Sequence, residues 1–176
     1  KGVSYCTVCD GPLFAGKTCA TIGGGNSALE SALMLADICS KVYVINKNAQ
    51  FKGEQVLIDN LKAKKNVEII YNANTTEISG NDFVSGLTYT LTPKTYTLPM
   101  DGIFVHIGMV PNSFIVPAEV EKDKFGYIKV NANGETNVPG LFAAGDVTDV
   151  PFKQNPIAAG QGTIALLSAV GYLNRL

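Results

Sequence analysis

The chain of 176 residues is 46% hydrophobic and 16% charged, which fits a packed globular core and argues against disorder. Its 14 basic and 15 acidic residues leave a net charge of -1 and form no basic run, so no nucleic-acid partner is expected. The apolar stretches are short and interrupted, so neither a membrane-spanning helix nor a membrane partner is expected.

The opening, KGVSYC, lacks Met and any signal-peptide layout, and it suggests a piece of a longer protein. Cys6-Thr7-Val8-Cys9 follows at once. Two intervening residues let the sulfurs of a CxxC pair meet in a disulfide, and such motifs lower the thiol pKa of the attacking cysteine. Asp10, next in the chain, is placed to give or take a proton during exchange. A zinc site competes with this reading. There is no second CxxC, however, and His106 is the only histidine, so four ligands are hard to assemble and no metal is expected. The four cysteines do not read as a secreted disulfide framework at this length, whereas one CxxC suits an intracellular, cytoplasmic redox protein.

Residues 18–22 (TCATI) read as a short buried strand that ends in Gly23-Gly24-Gly25. Residues 26–39 show helical spacing, with Leu29, Leu33 and Ala36 on one stripe and Ala28, Ala32, Leu35 and Cys39 beside it. Gly23, Gly25, Asn26, Ser27 and Ala28 therefore fit G-x-G-x-x-G/A between a strand and a helix. Gly23 permits the tight turn, Gly25 lets backbone N–H groups approach a pyrophosphate, and Ala28 keeps the helix close to the sheet. The helix N-terminus adds partial positive charge, so a dinucleotide is the expected ligand. Cys19 and Cys39 fall on the strand and the apolar helix face and read as core residues.

Residues 42–45 (VYVI) form the next strand, whose end bears on the choice of nicotinamide cofactor. An acid there suits the ribose 2′-hydroxyl, and basic residues suit a 2′-phosphate. Asn46, Lys47 and Lys52 stand there without a carboxylate, which leans towards NADPH and leaves NADH open. Residues 54–64 read as an amphipathic helix and 67–71 as a third strand, an alternation that implies a parallel sheet with right-handed crossovers. Residues 83–92 and 95–98, Thr-rich around Pro93-Lys94, read as an antiparallel meander. Asp101-Gly102 turns the chain into a strand over 103–107; Gly108 and Pro111-Asn112 then break it, which places a domain boundary after residue 107. His106, near that crossing, reads as structural or linker-facing rather than catalytic.

In the last third, strands are expected over 127–130 and 141–144 and a helix from about 156 to 173. The second of these strands ends in Gly145-Asp146. A carboxylate there is placed to accept a hydrogen bond from a ribityl hydroxyl, with the next helix N-terminus facing a flavin or its phosphates.

Taken in order, CTVCDG, IGGGNSALE and TNVPGLFAAGDVTDVPFKQNPIAAGQG closely resemble the low-molecular-weight thioredoxin reductases and the related flavoprotein subunit of alkyl hydroperoxide reductase. The likeness covers nearly the whole chain. It implies an α/β fold: a Rossmann-like NAD(P)H-binding domain over 1–107, with a parallel sheet, an antiparallel meander and the CxxC. Residues 108–176 would then be the C-terminal part of a second, FAD-binding Rossmann-like domain, whose N-terminal half lies outside this chain. By the same resemblance Cys6 and Cys9 form the active disulfide, Cys9 beside the flavin and Cys6 attacking the protein substrate, with Asp10 as acid–base residue. Gly23, Gly25, Asn26, Ser27 and Ala28 match the nucleotide turn, and Asp146, Val147, Lys153, Gln154 and Ala158 match the second flavin-binding segment.

The implied activity carries electrons from NADPH, or NADH, through FAD and Cys6–Cys9 to the disulfide of a small thioredoxin-like protein. A homodimer is expected for the full-length protein. The cysteine pair and the nicotinamide site share one domain and must both reach one flavin, so a rotation between domains is expected. Two departures stand out. Asn46, Lys47, Asn48 and Lys52 replace the Arg-rich cluster of NADPH-selective members, and the VPFKQ loop is closer to the peroxidase-partner flavoproteins. Two alternatives stay open: the reductase component of an alkyl hydroperoxide reductase, which would carry an extra thioredoxin-like module upstream, and a nucleotide-binding redox module without turnover. The chain alone is expected to be inactive, to bind pyridine nucleotide and to bind FAD poorly.

Overall fold

The computed structural model describes residues 1–176, which separate into two compact units, Lys1–Gly108 and Met109–Leu176. In the first unit Val3–Ser4 (β1), Thr18–Ile22 (β2), Lys41–Ile45 (β3), Val67–Ile70 (β4) and Gly102–Val105 (β8) form a wholly parallel sheet in the order β1-β8-β2-β3-β4. Asn26–Ile38 (α2) connects β2 to β3, and Gln55–Lys62 (α3) connects β3 to β4. Each crossover returns to a parallel neighbour, as the alternation of strand and helix signals requires. A four-residue helix, Thr7–Asp10 (α1), and a 3-10 turn, Gly11–Phe14, lie between β1 and β2.

A second sheet, antiparallel, contains Asn74–Gly80 (β5), Val84–Leu91 (β6) and Lys94–Pro99 (β7) in sequence order. The sequence signals only the last two of these strands. β5 escapes because NTTEISG has one large apolar residue, Ile78, and its side chains are mostly exposed. Its pairing with β6 is therefore set by backbone bonds rather than by a buried stripe.

The parallel sheet is buried on both faces. Cys19, Val42, Val44 and Phe104 pack with Leu29, Ala32 and Leu35 of α2 and with Ile58 and Leu61 of α3. Ala20, Ile45 and Ile103 turn the other way, onto Leu87, Tyr89 and Met100 around the antiparallel sheet. Leu29, Leu35 and Leu61 are wholly buried, and each such side chain contributes about 1.5–3 kcal/mol relative to exposure. α2 ends where Cys39 adopts extended backbone and its N–H donates to the carbonyl of Leu35 at 2.7 Å.

In the second unit the expected strands over 127–130 and 141–144 do not form. Ile128 makes single bridges to Lys122 and Thr148, and Phe142 makes one to Glu135. A ladder needs successive pairs with one neighbour, and each of these bridges stops at a single residue pair. Asp123 closes the turn beside the Lys122–Ile128 bridge, its Oδ1 accepting from the N–H groups of Phe125 and Tyr127 at 2.8 and 2.9 Å.

A 3-10 turn at Gly145–Val147 precedes the long helix Asn155–Leu173 (α4), which begins with Pro156 in its first turn. By length and composition alone α4 could cross a membrane, with a mean hydropathy of 1.3. The expectation that every apolar stretch is too short is corrected to that extent. No Asp, Glu, Lys or Arg interrupts residues 155–173, and Gly, Ala, Ile, Leu and Val dominate them.

Candidate redox and nucleotide-binding site

Cys6 caps the N-terminus of α1 with extended backbone and is joined to Cys9 by a disulfide, the two Cα atoms standing 5.3 Å apart. The N–H of Cys9 points at Cys6 Sγ, 3.2 Å away. A donor so placed favours negative charge on that sulfur once the bond is reduced. Ser4 holds the entry to the turn. Its buried hydroxyl accepts from the N–H of Cys6 at 3.1 Å and donates to Asp10 Oδ2 at 2.6 Å. The Asp10 carboxylate is thereby fixed at the far end of the same short helix as the capping sulfur. Cys9 is exposed, and so are Tyr5, Val8 and Leu13 around it, so the pair sits on an apolar rim.

The turn Gly23–Ala28 lies at the carboxyl end of β2. Gly23 has φ +145 and faces the carbonyl of His106. Gly24 lies against the side chain of Asn46, where a Cβ would stand 2.5 Å from Oδ1. Gly25 differs from both: open space surrounds the place a Cβ would occupy. The first N–H groups of α2 have no partner within the helix. This bare glycine beside them leaves a cradle of the kind a pyrophosphate fills. Ala28 is fully buried against the sheet, and Ser27 is exposed.

The Asn26 side chain turns away from the cradle. Its amide donates to Glu54 Oε1 at 2.9 Å and its Oδ1 accepts from the N–H of Glu54 at 2.8 Å, so only its backbone is offered to a ligand. The N–H of Lys52 donates to the Gly24 carbonyl at 2.7 Å. The loop after β3 is thus pinned to the glycine turn at two points, and the exposed Lys47 and Lys52 are carried on it.

Asn46, expected among the cofactor-binding residues, is 1% exposed. Its amide donates to the Gln50 carbonyl at 3.0 Å and its Oδ1 accepts from the N–H of Asn48 at 3.2 Å. That side chain shapes the loop and has no group left facing outward. The sequence could not reveal this, because Asn at a strand end serves either use.

In the second unit, Gly145 has φ +76 and its N–H donates to Gln161 Oε1 at 2.9 Å. Ala158 of α4 lies where a Cβ on Gly145 would touch it, at 3.2 Å, so these small residues let helix and turn approach closely. Lys153 braces the same turn, its ammonium donating to the Thr148 carbonyl at 2.6 Å and lying 4.1 Å from the Tyr127 ring centroid. Asp146 is exposed, Val147 half-buried, and Gln154 caps α4. The Asp146 carboxylate on a turn held this firmly fits an acceptor for flavin hydroxyls. Sequence reasoning misses Gln161; only its spacing from Gly145 across the helix start hints at it.

Residues 1–162 match the family described as pyridine nucleotide-disulphide oxidoreductase. The chain is 48% identical to a component of the alkyl hydroperoxide reductase of Escherichia coli, over 99% of its own length and 34% of that protein. It is 46% identical to a protein of Ferdinandcohnia aciditolerans named NADH dehydrogenase, over 99% of its length and 34% of that protein. Among solved structures it is similar to thioredoxin reductase from Streptococcus pyogenes, with TM-score 0.89 and 34% identity over 99% of this chain and 58% of that one. Thioredoxin reductase from Giardia duodenalis matches with TM-score 0.84 and 33% identity over 99% and 58%. The chain belongs to the pyridine nucleotide-disulphide oxidoreductase family. It spans about a third of the length of the relatives named first.

Proposed function

We propose that this chain supplies the pyridine-nucleotide site and the redox-active disulfide of an NAD(P)H-dependent, thioredoxin reductase-like protein-disulfide reductase. One observation carries the reading: the Cys6–Cys9 disulfide, with a backbone donor aimed at Cys6 Sγ, shares a unit with an open glycine cradle at a helix N-terminus. Residues 1–107 hold NAD(P)H in this reading, Gly25 and the first turn of α2 meeting the pyrophosphate and Lys47 and Lys52 meeting a 2′-phosphate. Residues 108–176 contribute to the flavin site through Asp146, Val147, Gln154 and the start of α4, with Lys153 and Ala158 holding that turn in shape. FAD, when bound, supplies the chemistry between a hydride donor and a two-electron disulfide acceptor.

The chain's own residues perform the exchange. Two electrons and two protons open the Cys6–Cys9 bond to a dithiol. Asp10, oriented by Ser4, takes the proton that leaves the attacking thiol. The Cys6 thiolate attacks one sulfur of the partner disulfide, forming a mixed disulfide and releasing the partner's other sulfur as thiolate. Cys9 then attacks Cys6 Sγ, which restores the intramolecular bond and frees the reduced partner. The partner is a small protein with a thioredoxin-like dithiol, and the apolar rim of Tyr5, Val8 and Leu13 suits such a surface.

The identity to the alkyl hydroperoxide reductase component exceeds that to the two thioredoxin reductase structures named above, 48% against 34% and 33%. A second reading follows, in which the thioredoxin-like partner is a module serving a peroxidase. Both readings are tested by a single-turnover transfer. The reduced chain, freed of reductant, is mixed with equimolar oxidised thioredoxin or with the oxidised thioredoxin-like module of such a peroxidase reductase. Formation of partner dithiol matched by loss of Cys6 and Cys9 thiols is the expected result, and the faster partner decides between the readings. No transfer to either would contradict both.

A further inference from the structure

Between the two cysteines, Thr7 points inward. It is 5% exposed, and its hydroxyl oxygen lies 2.5 Å from Ser31 Oγ and 3.3 Å from His106 Nε2. Ser31, on α2, is 3% exposed and reaches Thr21 Oγ1 of β2 at 3.5 Å. The Thr7 methyl packs on the other side, where a Cβ on Gly11 would lie 3.4 Å from it. Four polar side chains from α1, α2, β2 and the residue after β8 therefore meet beneath the CxxC turn.

A buried hydroxyl is unfavourable unless it is hydrogen-bonded, and a valine would fill the Thr7 site with nearly the same shape. What the hydroxyls add is direction. A satisfied buried network fixes one arrangement where apolar packing tolerates several. Burial lowers the pKa of His106, which favours the neutral ring. With Nε2 as acceptor, Thr7 donates to His106 and accepts from Ser31; in the other tautomer both bonds reverse. Either way Thr7 is tied to α2 and to the end of β8 together.

We propose that Thr7, Ser31 and His106 are positioning residues that hold the CxxC turn in its disulfide-ready shape and so set the Cys6–Cys9 reduction potential. This rests on the reading of Cys6–Cys9 as the redox pair. When the disulfide forms, two thiols lose two electrons and two protons, and glutathione disulfide takes them up to become two glutathione thiols. In the disulfide the cross-link itself confines the turn. In the dithiol that restraint is gone and the network carries more of the work beside the Ser4 contacts, so it keeps the sulfurs close and raises their effective concentration. Loosening it frees the dithiol more than the disulfide and shifts the equilibrium towards dithiol.

The test equilibrates the 176-residue chain in glutathione buffers of known ratio, followed by acid quench and mass analysis of alkylated Cys6 and Cys9. Thr7→Val and Ser31→Ala are each expected to shift the equilibrium about tenfold towards dithiol, or about 30 mV for a two-electron couple. Thr7→Ser, which keeps the hydroxyl, stays within about twofold, and Thr7→Val with His106→Leu shifts no further than Thr7→Val alone, as one shared network requires. His106→Leu alone, which spares the Thr7–Ser31 bond, shifts the constant less and in the same direction; it serves if Thr7→Val does not fold. Unchanged constants, with melting temperatures lowered equally in both redox forms, would show that the network only supports the fold and overturn the proposal. A wild-type chain forming no Cys6–Cys9 disulfide at any glutathione ratio would instead overturn the redox reading, and the proposal with it.

Discussion

Gly23 presses against the carbonyl oxygen of His106, so closely that a Cβ on residue 23 would overlap it. The contact joins the start of the nucleotide turn to the end of β8, and it separates two glycines that look alike in the sequence. Gly23→Ala meets both the overlap and a φ of +145, a conformation that by itself costs a non-glycine residue about 1–3 kcal/mol. A clear loss in thermal or denaturant midpoint is expected. Gly25→Ala meets open space at an ordinary φ of -95, and its melt should match wild type. A Gly23→Ala variant as stable as wild type would contradict that contact.

The two sulfurs of the CxxC are expected to play different parts. In Cys9→Ser, attack by Cys6 on the partner still occurs but no thiol resolves it, so a covalent mixed disulfide with the partner accumulates. In Cys6→Ser the attacking sulfur is removed, and with it the group at which the Cys9 N–H is aimed, so little adduct forms. Non-reducing electrophoresis after mixing with oxidised thioredoxin reads this directly. Equal trapping by both variants would remove the distinction.

Cys19 and Cys39 offer a contrast within the same chain. They lie 3.7 Å apart, sulfur to sulfur, in the core beneath α2, and burial pushes both thiols up. A thiol that stays protonated and out of reach does not alkylate. Iodoacetamide at mildly alkaline pH should therefore modify only Cys6 and Cys9 of the reduced native chain, and all four cysteines after unfolding. Rapid native labelling of Cys19 would show that the core opens.

His106 sets the acid side of the stability profile. Burial lowers its pKa below the ordinary histidine value, so the unfolded state takes up a proton at a pH where the folded state does not. The stability this group contributes is present above about pH 6.5 and is lost as pH falls through the lower, folded value. Between about pH 7.5 and about pH 5, a window that brackets the ordinary value, the melting temperature of His106→Gln is expected to fall less than that of wild type. Parallel losses would place the acid sensitivity elsewhere.

The proposed preference for NADPH turns on Lys47 and Lys52, exposed on a loop that Asn46 and Glu54 hold in place. If they meet a 2′-phosphate, changing both to Ala weakens NADPH binding by about 1–3 kcal/mol and leaves NADH nearly untouched. Equal losses for both nucleotides would make the two lysines a solvated face.

The glycine turn and the CxxC can be read from the sequence because each packs its pattern into a few consecutive residues. The strand, Gly23–Gly25 and the apolar stripe of α2 are local signals, and local signals survive folding. Asn46 is illegible for the opposite reason: its partners Gln50 and Asn48 are close in sequence, but its side chain packs against Gly24, which precedes it by a helix and a strand. Thr7 and His106 meet across 99 positions, and nothing in either neighbourhood announces the other. The segments 127–130 and 141–144 have strand-like composition, yet composition does not provide a continuous neighbour to pair with.

The central claim, that a pyridine nucleotide lies on the Gly23–Ala28 turn of the unit carrying Cys6–Cys9, is tested most directly by calorimetric titration of the chain with NADPH and with NADH, without added FAD. One nucleotide per chain is predicted for wild type, with affinity lost in Gly25→Ala although its melt is unchanged, because the new methyl occupies the cradle. Absence of binding by a folded wild-type chain, or binding that Gly25→Ala leaves intact, would contradict it.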